Sequence, residues 1–532
     1  MQNIREIAHN LKLNDDQIFC YGDKFAKVNV KPRYEEKSRL VLVSSMTPSK
    51  SGIGKTTVAI GLADALNKQN LSSCLSLREP SLGPLFGIKG GATGGGKSRL
   101  LPSDEINLHF TGDMHAITVA NNLLCSIVDN HIFQGNKLNI NPEKIRVKRC
   151  QDINDRTLRE QGYTLTPCSE LMLIMSFSDN IEDLRRRLKD IIVAEDMDGN
   201  YVYARDLECI DAMCILLKDA LLPNLVQTAE GTPALVHLGA FGNVAHGCSS
   251  NIATKVATTL AEYTITEAGF GLAMGGQKFF DLTCRTGSLT PNGVVVVASI
   301  PALRYHGGVP ESEMFTKASP EAIKDGLQDL LNQCSTLHST YHVPFVVAIN
   351  VHENDTEEEY NVVKDCLEWV KYRYCFCDPY NGGWRECMDL ACQVIQICEE
   401  PMYFNYSYEW KHNIEEKIER IVKCVYLSNK DVEYSNKAKE EIKKLTEKGL
   451  WEYPILMRKT PTSITDIPND KLTNYELPAS FVIHVTDVEV LNGAKVIAVT
   501  CGKPTPLMPA LGKTPSYRNM KISDDGVIEN LD

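Results

Sequence analysis

The sequence predicts an α/β protein: a mostly parallel sheet flanked by helices, with two smaller α/β domains attached. Three observations predict it. Short, continuous apolar runs recur along the first two-thirds of the chain, as strands buried on both faces require. Segments with apolar residues at helical spacing separate them. The first of these runs leads straight into a glycine-rich loop and then a helix.

Arg39-Leu-Val-Leu-Val-Ser44 is the first buried strand, followed by the loop Thr47–Thr57. Beyond it, Val58, Ala59, Leu62, Ala63 and Leu66 recur at helical spacing. Ala234–Leu238, Tyr263–Thr266, Val294–Ser299 and Phe345–Asn350 read as further buried strands. From about Glu357 to Lys448 the pattern reads as helical. Ile414, Ile418, Ile421, Val422 and Val425 form one apolar face there, and Lys437–Lys448 a solvated one. Strands return at Ser480–Thr486 and Lys495–Thr500 around the Asn492-Gly493 turn, before a Pro-rich stretch from Pro504 to Pro515. Three domains are expected: 1–335 with the loop, a helix-rich 336–450, and a small 451–532.

Composition narrows the function. With 56 basic and 68 acidic side chains the net charge is −12, which argues against a sequence-blind nucleic-acid binder. No run approaches the ~20 apolar residues of a membrane-spanning helix. Glu6, Asp15, Asp16 and Asp23 near the amino terminus do not fit a signal or transit peptide, so a cytoplasmic location is expected. The 18 cysteines include no C-x-x-C pair and read as reduced thiols, not zinc ligands.

The loop carries the first chemistry. A strand, then Gly52-Ile53-Gly54-Lys55-Thr56-Thr57, then a helix is the setting of a phosphate-binding P-loop. Glycine lets backbone N–H groups turn inward, and the helix amino terminus adds partial positive charge. Lys55 supplies a point charge to the β- and γ-phosphates, and the Thr56 hydroxyl is placed as a Mg²⁺ ligand. Serine at 49 replaces the usual first glycine, and Lys50 gives a variant loop with a leading lysine. Nucleotide binding on a P-loop NTPase-like sheet is expected.

A second constellation follows. Arg78 offers a rigid bidentate fork for a carboxylate or phosphate, and Glu79 beside it can bind a metal or hold that arginine. Gly90, Gly91, Gly94, Gly95 and Gly96 either bring backbone close to a ligand or form a loose loop. Asp104 to Asp113 adds carboxylates and an imidazole.

Arg78-Glu-Pro-Ser-Leu-Gly-Pro84 through Asp113, with Thr47-Pro…Gly-Lys-Thr-Thr57 before it, resembles formate–tetrahydrofolate ligases. The similarity continues through Asn154–Leu158, Pro223–Thr228, Ala245-His-Gly-Cys248, Thr266–Gly271 and Lys278-Phe-Phe-Asp281, and weakens between about Pro401 and Gly449. The resemblance implies ATP-dependent ligation of formate to tetrahydrofolate through formyl phosphate. It also implies Mg²⁺, a stimulatory monovalent cation and a homo-oligomer, with neither nucleic acid nor membrane as partner. By the same resemblance, Arg78 holds formate and formyl phosphate, and Glu79, Ser81 and Asp113 line that pocket. The chain begins at the ligase region, so a monofunctional member is expected.

The folate side differs from the family. His352 stands where the family has one of two pterin-stacking rings, a phenylalanine, and Phe376 replaces the second, a tryptophan. Ala273 and Gln277 replace carboxylates, Lys97 a tyrosine and Pro301 an arginine. Both ring changes keep a flat π face, whereas Ala273 loses any charged hydrogen bond. Beside the active ligase stand two alternatives: a non-catalytic nucleotide- or folate-binding paralogue, and an ATP-dependent ligase for another small carboxylate. With a net negative chain and anionic ligands, binding is expected to rest on Lys55, Arg78, Lys89 and Lys97.

Overall fold

A computed structural model describes residues 1–48, 52–87, 91–471, 480–503 and 507–531. The apolar runs form the centre of a twelve-stranded mixed sheet, parallel across its middle. Ten strands make its path: β1 (Ile18–Tyr21), β2 (Phe25–Val28), β3 (Arg39–Ser45), β4 (Ser73–Leu77), β5 (Asn224–Thr228), β6 (Pro233–Val236), β7 (Tyr263–Glu267), β8 (Gly293–Ser299), β9 (Phe345–Asn350) and β10 (Tyr374–Cys377). Their order across the sheet is β1-β2-β5-β6-β4-β7-β3-β8-β9-β10. From β6 to β10 every neighbour is parallel, while β1, β2 and β5 add an antiparallel margin.

The central strands match their expected bounds closely because β3, β7 and β8 are buried along almost their whole length. Helices cover the sheet. They include α1 (Lys55–Lys68), α2 (Asp113–Phe133), α3 (Asn251–Leu260), α4 (Pro320–Thr336), α5 (Glu357–Trp369) and α6 (Met388–Glu399). Helix α1 is buried from Val58 to Leu66, and a Cβ at Gly61 would stand 2.7 Å from Cys387 Sγ, so glycine permits this close packing.

The segment read as helical holds α5, α6, α7 (Ile414–Cys424) and α8 (Asn436–Glu447), but it also contains β10. Tyr-Cys-Phe-Cys is too short to show a period, and two of its four residues are only half-buried. The last segment forms a second sheet in which β11 (Ile455–Arg458), β12 (His484–Leu491) and β13 (Val496–Cys501) join Glu433–Tyr434. The β12–β13 hairpin turns at Asn492-Gly493, and its tip docks on the main body: Gly493 N donates to Glu170 Oε1 at 2.8 Å. All 18 cysteines are free thiols and only Cys392 is exposed. Among the described residues no helix is long and apolar enough to cross a membrane.

Candidate active site

Register brings the sequence-predicted residues to one rim. Ser45 on β3 pairs with Val297 on β8, Val297 with Ala348 on β9, and Ala348 with Cys375 on β10. On the other side Val43 pairs with Glu267, and Ser76 with Thr266. The residues that follow these strands therefore emerge together at the carboxyl ends of parallel strands, where ligands of open α/β sheets bind.

The loop after β3 is fastened at both ends. Thr47 N and Oγ1 donate to Asp329 on α4 at 2.8 and 2.7 Å, and its carbonyl lies 2.7 Å from His306 Nε2. Gln333 Nε2 donates to Thr47 Oγ1 at 2.8 Å. At the other end Gly52 and Gly54 have φ of +79° and +81°, and Gly54 caps α1. A Cβ at Gly54 would sit 2.5 Å from Asn350 Nδ2, which donates to Ile53 O at 3.1 Å. Lys55, Thr56 and Thr57 form the half-buried first turn of α1. Thr56 Oγ1 donates to Glu267 Oε2 at 2.6 Å. Sequence reasoning missed Asp329, Gln333 and Glu267. Ser49, Lys50 and Ser51, like Lys89, lie outside the described residues.

Arg78 leaves the end of β4 into a slot walled by two glycines. A Cβ on Gly239 would stand 2.4 Å from Arg78 Cγ, and one on Gly269 2.8 Å from Nη2. The same turn, Gly269-Phe-Gly271, packs on the start of the loop: a Cβ at Gly271 would meet Met46 O at 2.9 Å. Among the described residues the Arg78 guanidinium has no hydrogen-bond or ion-pair partner, although it is half-buried. A fork of donors held in place without a partner suits an incoming planar anion.

Glu79, the next residue in the chain, belongs to a buried charged cluster. Lys27 Nζ is 2.8 Å from both carboxylate oxygens of Asp113, and Asn224 Nδ2 donates to Asp113 Oδ2 at 2.8 Å. Burial raises Asp113, and the Lys27 ammonium opposes that push. Glu79 is 4% exposed, and its Oε2 has no partner. Burial first, and then the charge of Asp113, push Glu79 well above the usual carboxylate range. Ser81 Oγ donates to Asp152 Oδ1. Lys27 and Asp152 are further members that sequence reasoning did not single out.

The glycine run approaches its own chain. Gly94–Gly95 and Ser98–Leu101 form a hairpin, and a Cβ at Gly96 would fall 2.1 Å from Tyr380 O. Lys97 N donates to that carbonyl, while the Lys97 side chain is exposed. These glycines press the hairpin onto the turn after β10.

That turn borders an open cavity of about 440 Å³ lined by Val351, Phe376, Cys377, Asp378, Asn381, Gly382 and Glu386. Phe376 stands on its wall with Tyr360 edge-on at 5.0 Å. His352 meets Phe315 edge-on at 5.8 Å and does not line this cavity. Burial pushes the His352 imidazole down, leaving it a neutral ring. Gln277 is fully buried and donates to Asp281, which also accepts from Tyr341 and Ser407. Ala273 is likewise buried, its N–H donating to Gln333. Pro301 sits in the first turn of the helix Ile300–His306.

Comparison with known proteins adds the family. The family model described as "Formate--tetrahydrofolate ligase" matches residues 1–532. A protein of that name from Campylobacter concisus (strain 13826) is 42% identical over 547 residues, spanning 100% of this chain and 98% of the relative. Another of that name, from Psychrobacter sp. (strain PRwf-1), is 42% identical over 561 residues, spanning 100% and 97%.

Proposed function

The chain belongs to the formate–tetrahydrofolate ligase family, and from that premise we propose how its residues divide the work of ligation. It is an ATP-dependent ligase that joins formate to tetrahydrofolate, giving 10-formyltetrahydrofolate, ADP and phosphate. A carboxylate oxygen of formate attacks the γ-phosphorus of ATP and ADP leaves. N10 of the folate then attacks the formyl carbon, and phosphate departs with the N10 proton.

Gly52 and Gly54 turn the loop amides inward, and together with Lys55 and the start of α1 they cradle the phosphates as a P-loop. The Asp329 and His306 contacts on Thr47 hold this cradle before substrate arrives, which lowers the reorganisation needed in the transition state. Thr57 contacts phosphate from the same turn. Arg78 grips formate and then formyl phosphate, and the partnerless guanidinium in its glycine slot carries this reading. Glu79, Ser81 and Asp113 line the pocket that Arg78 serves, with Lys27 offsetting the Asp113 charge and Asp152 holding the Ser81 hydroxyl.

Among the described residues no group of three or more His, Cys, Asp or Glu is arranged to hold a metal. This donor set fits Mg²⁺, which takes one or two protein oxygens beside phosphates and water. Thr56 Oγ1 and Glu267 would hold it, and bound Mg²⁺ would neutralise β- and γ-phosphate charge. No residue is assigned to a monovalent cation. Phe376 stacks on the pterin from the cavity wall, and His352 contributes its neutral ring from the adjoining loop.

Purified protein incubated with ATP, Mg²⁺, formate and tetrahydrofolate tests the reading by following ADP and formylated folate. Stoichiometric ADP and 10-formyltetrahydrofolate are expected. Arg78→Lys is expected to lower kcat/KM for formate by about 10–100-fold, since a point charge replaces the fork. Wild-type kinetics in that variant would overturn the role given to Arg78.

A further inference from the structure

Beyond β9 the chain makes a turn that carries His352, and one buried carboxylate closes it. Asp355 Oδ2 accepts from His352 N at 2.8 Å, and Asp355 N donates back to His352 O at 3.1 Å. The same Oδ2 accepts from Tyr360 Oη on α5 at 3.3 Å. The Tyr360 ring in turn meets Phe376 of β10 edge-on at 5.0 Å. One oxygen therefore ties the backbone of the His352 turn to the ring that backs Phe376.

A second buried pair fixes the frame around this turn. Arg304 is fully buried and donates from Nε and Nη2 to Glu359 Oε1 and Oε2 at 2.7 and 2.6 Å. Nη2 also donates to Asn354 O in the His352 turn at 3.1 Å, and Nη1 to Met314 O at 2.9 Å, beside the Phe315 that meets His352. Glu359 thus pairs with Arg304, and it accepts from Thr356 at the start of α5 as well. Asp355 is not the pairing carboxylate. Its Oδ1 lies 3.7 Å from Arg304 Nη2, beyond hydrogen-bond reach, and has no hydrogen-bond partner among the described residues. A carboxylate oxygen buried in this way costs stability, so the contribution of Asp355 is the geometry that Oδ2 imposes.

We propose that Asp355 is a positioning residue for tetrahydrofolate: through Oδ2 it sets His352 and Phe376 relative to one another before the pterin arrives. The assignment rests on the stacking roles given to those two rings and adds the group that holds them. The rings come from separate elements, a turn and a strand. Without a shared tie each would settle on its own, and binding would bear the cost of ordering them. The hydrogen bonds of Asp355 go to His352 and Tyr360 and not to the phosphate loop or Arg78, so the effect falls on the folate.

Steady-state ligation by the full chain, with each substrate varied in turn, tests this. Asp355→Ala is expected to raise KM for tetrahydrofolate about tenfold, with kcat and the KM values for ATP and formate within about twofold of wild type. Tyr360→Phe, which removes only the hydroxyl, is expected to raise the same KM about threefold. Asp355→Asn keeps an acceptor oxygen and is expected to return it to within about twofold of wild type. An unchanged folate KM in Asp355→Ala, or kcat and all three KM values worsening together, would overturn the proposal. If Asp355→Ala does not fold, a wild-type folate KM in Tyr360→Phe overturns it instead. His352→Ala and Phe376→Ala separate the two levels. Wild-type folate KM in both would remove the stacking roles and this proposal with them, whereas raised values beside an unmoved Asp355→Ala would overturn the positioning alone.

Discussion

Substituting Gly269 by alanine probes the Arg78 slot without touching Arg78. The added Cβ would stand 2.8 Å from Nη2, 3.0 Å from Nη1 and 3.1 Å from Cζ of Arg78. Ordinary contact requires the guanidinium to withdraw by about half an ångström, and the fork ends a flexible side chain, so it can move. Gly269 does not carry the positive φ that would strain alanine. The fold should therefore lose no more than about 1 kcal/mol. Misplacing the fork weakens a charge-assisted contact to formate by about 1.5–3 kcal/mol, roughly 10- to 100-fold in kcat/KM. Gly239 makes the contrast, because its φ is +115° and a Cβ would strike Arg78 Cγ at 2.4 Å. Gly239→Ala should lose both stability and activity. The assay is kcat/KM for formate under saturating ATP and folate, with thermal midpoints alongside. Wild-type kcat/KM in Gly269→Ala would refute the slot as what positions Arg78. A loss of several kcal/mol of stability would instead make Gly269 a packing residue.

Three further outcomes are expected. Lys55→Ala should abolish nucleotide turnover with a wild-type thermal midpoint, and retained turnover would contradict the P-loop reading. Asp329→Ala removes the acceptors of Thr47 N–H and Oγ1. It should cost about 2–4 kcal/mol by urea denaturation and raise KM for ATP severalfold; an unchanged KM would show that the loop keeps its shape unaided. Burial raises the Glu170 carboxyl from 4.5 to about 7, against the hydrogen bonds from Gly493 and Ala494. The folded state holds this proton more tightly than the unfolded chain does. Its contribution is therefore fully present below pH 4.5 and is lost as pH rises through about 7, amounting to about 3 kcal/mol. Glu170→Gln should flatten that part of the stability–pH curve, and an unchanged curve would mean that Glu170 is not the titrating group.

Much of the centre of the fold was legible in the chain. Strands β3, β7, β8 and β9 announce themselves because burial on both faces demands continuous apolar runs, and β9 was bounded to the residue. The margins were not: β1 and β2 are four residues each, and β10 lies in a stretch dominated by helical spacing. At the site, Lys55, Thr56 and Arg78 were visible because a glycine loop and an arginine at a strand end carry their chemistry locally. The glycine run allowed either a ligand contact or a loose loop, and the fold uses it to seat a hairpin on Tyr380.

The sequence by itself determined which residues could do chemistry, where each strand–loop–helix unit stood, and which family the chain resembles. Tertiary structure alone decided which polar groups lose water together and which of them meet. Thr47 finds Asp329 across 282 positions and Lys27 finds Asp113 across 86, while among the described residues Arg78 finds no partner. The physical reason is that desolvation and Coulomb attraction depend on distance through space. Residues far apart in the chain acquire their charge state and their partners only when the sheet brings strand ends to a common rim.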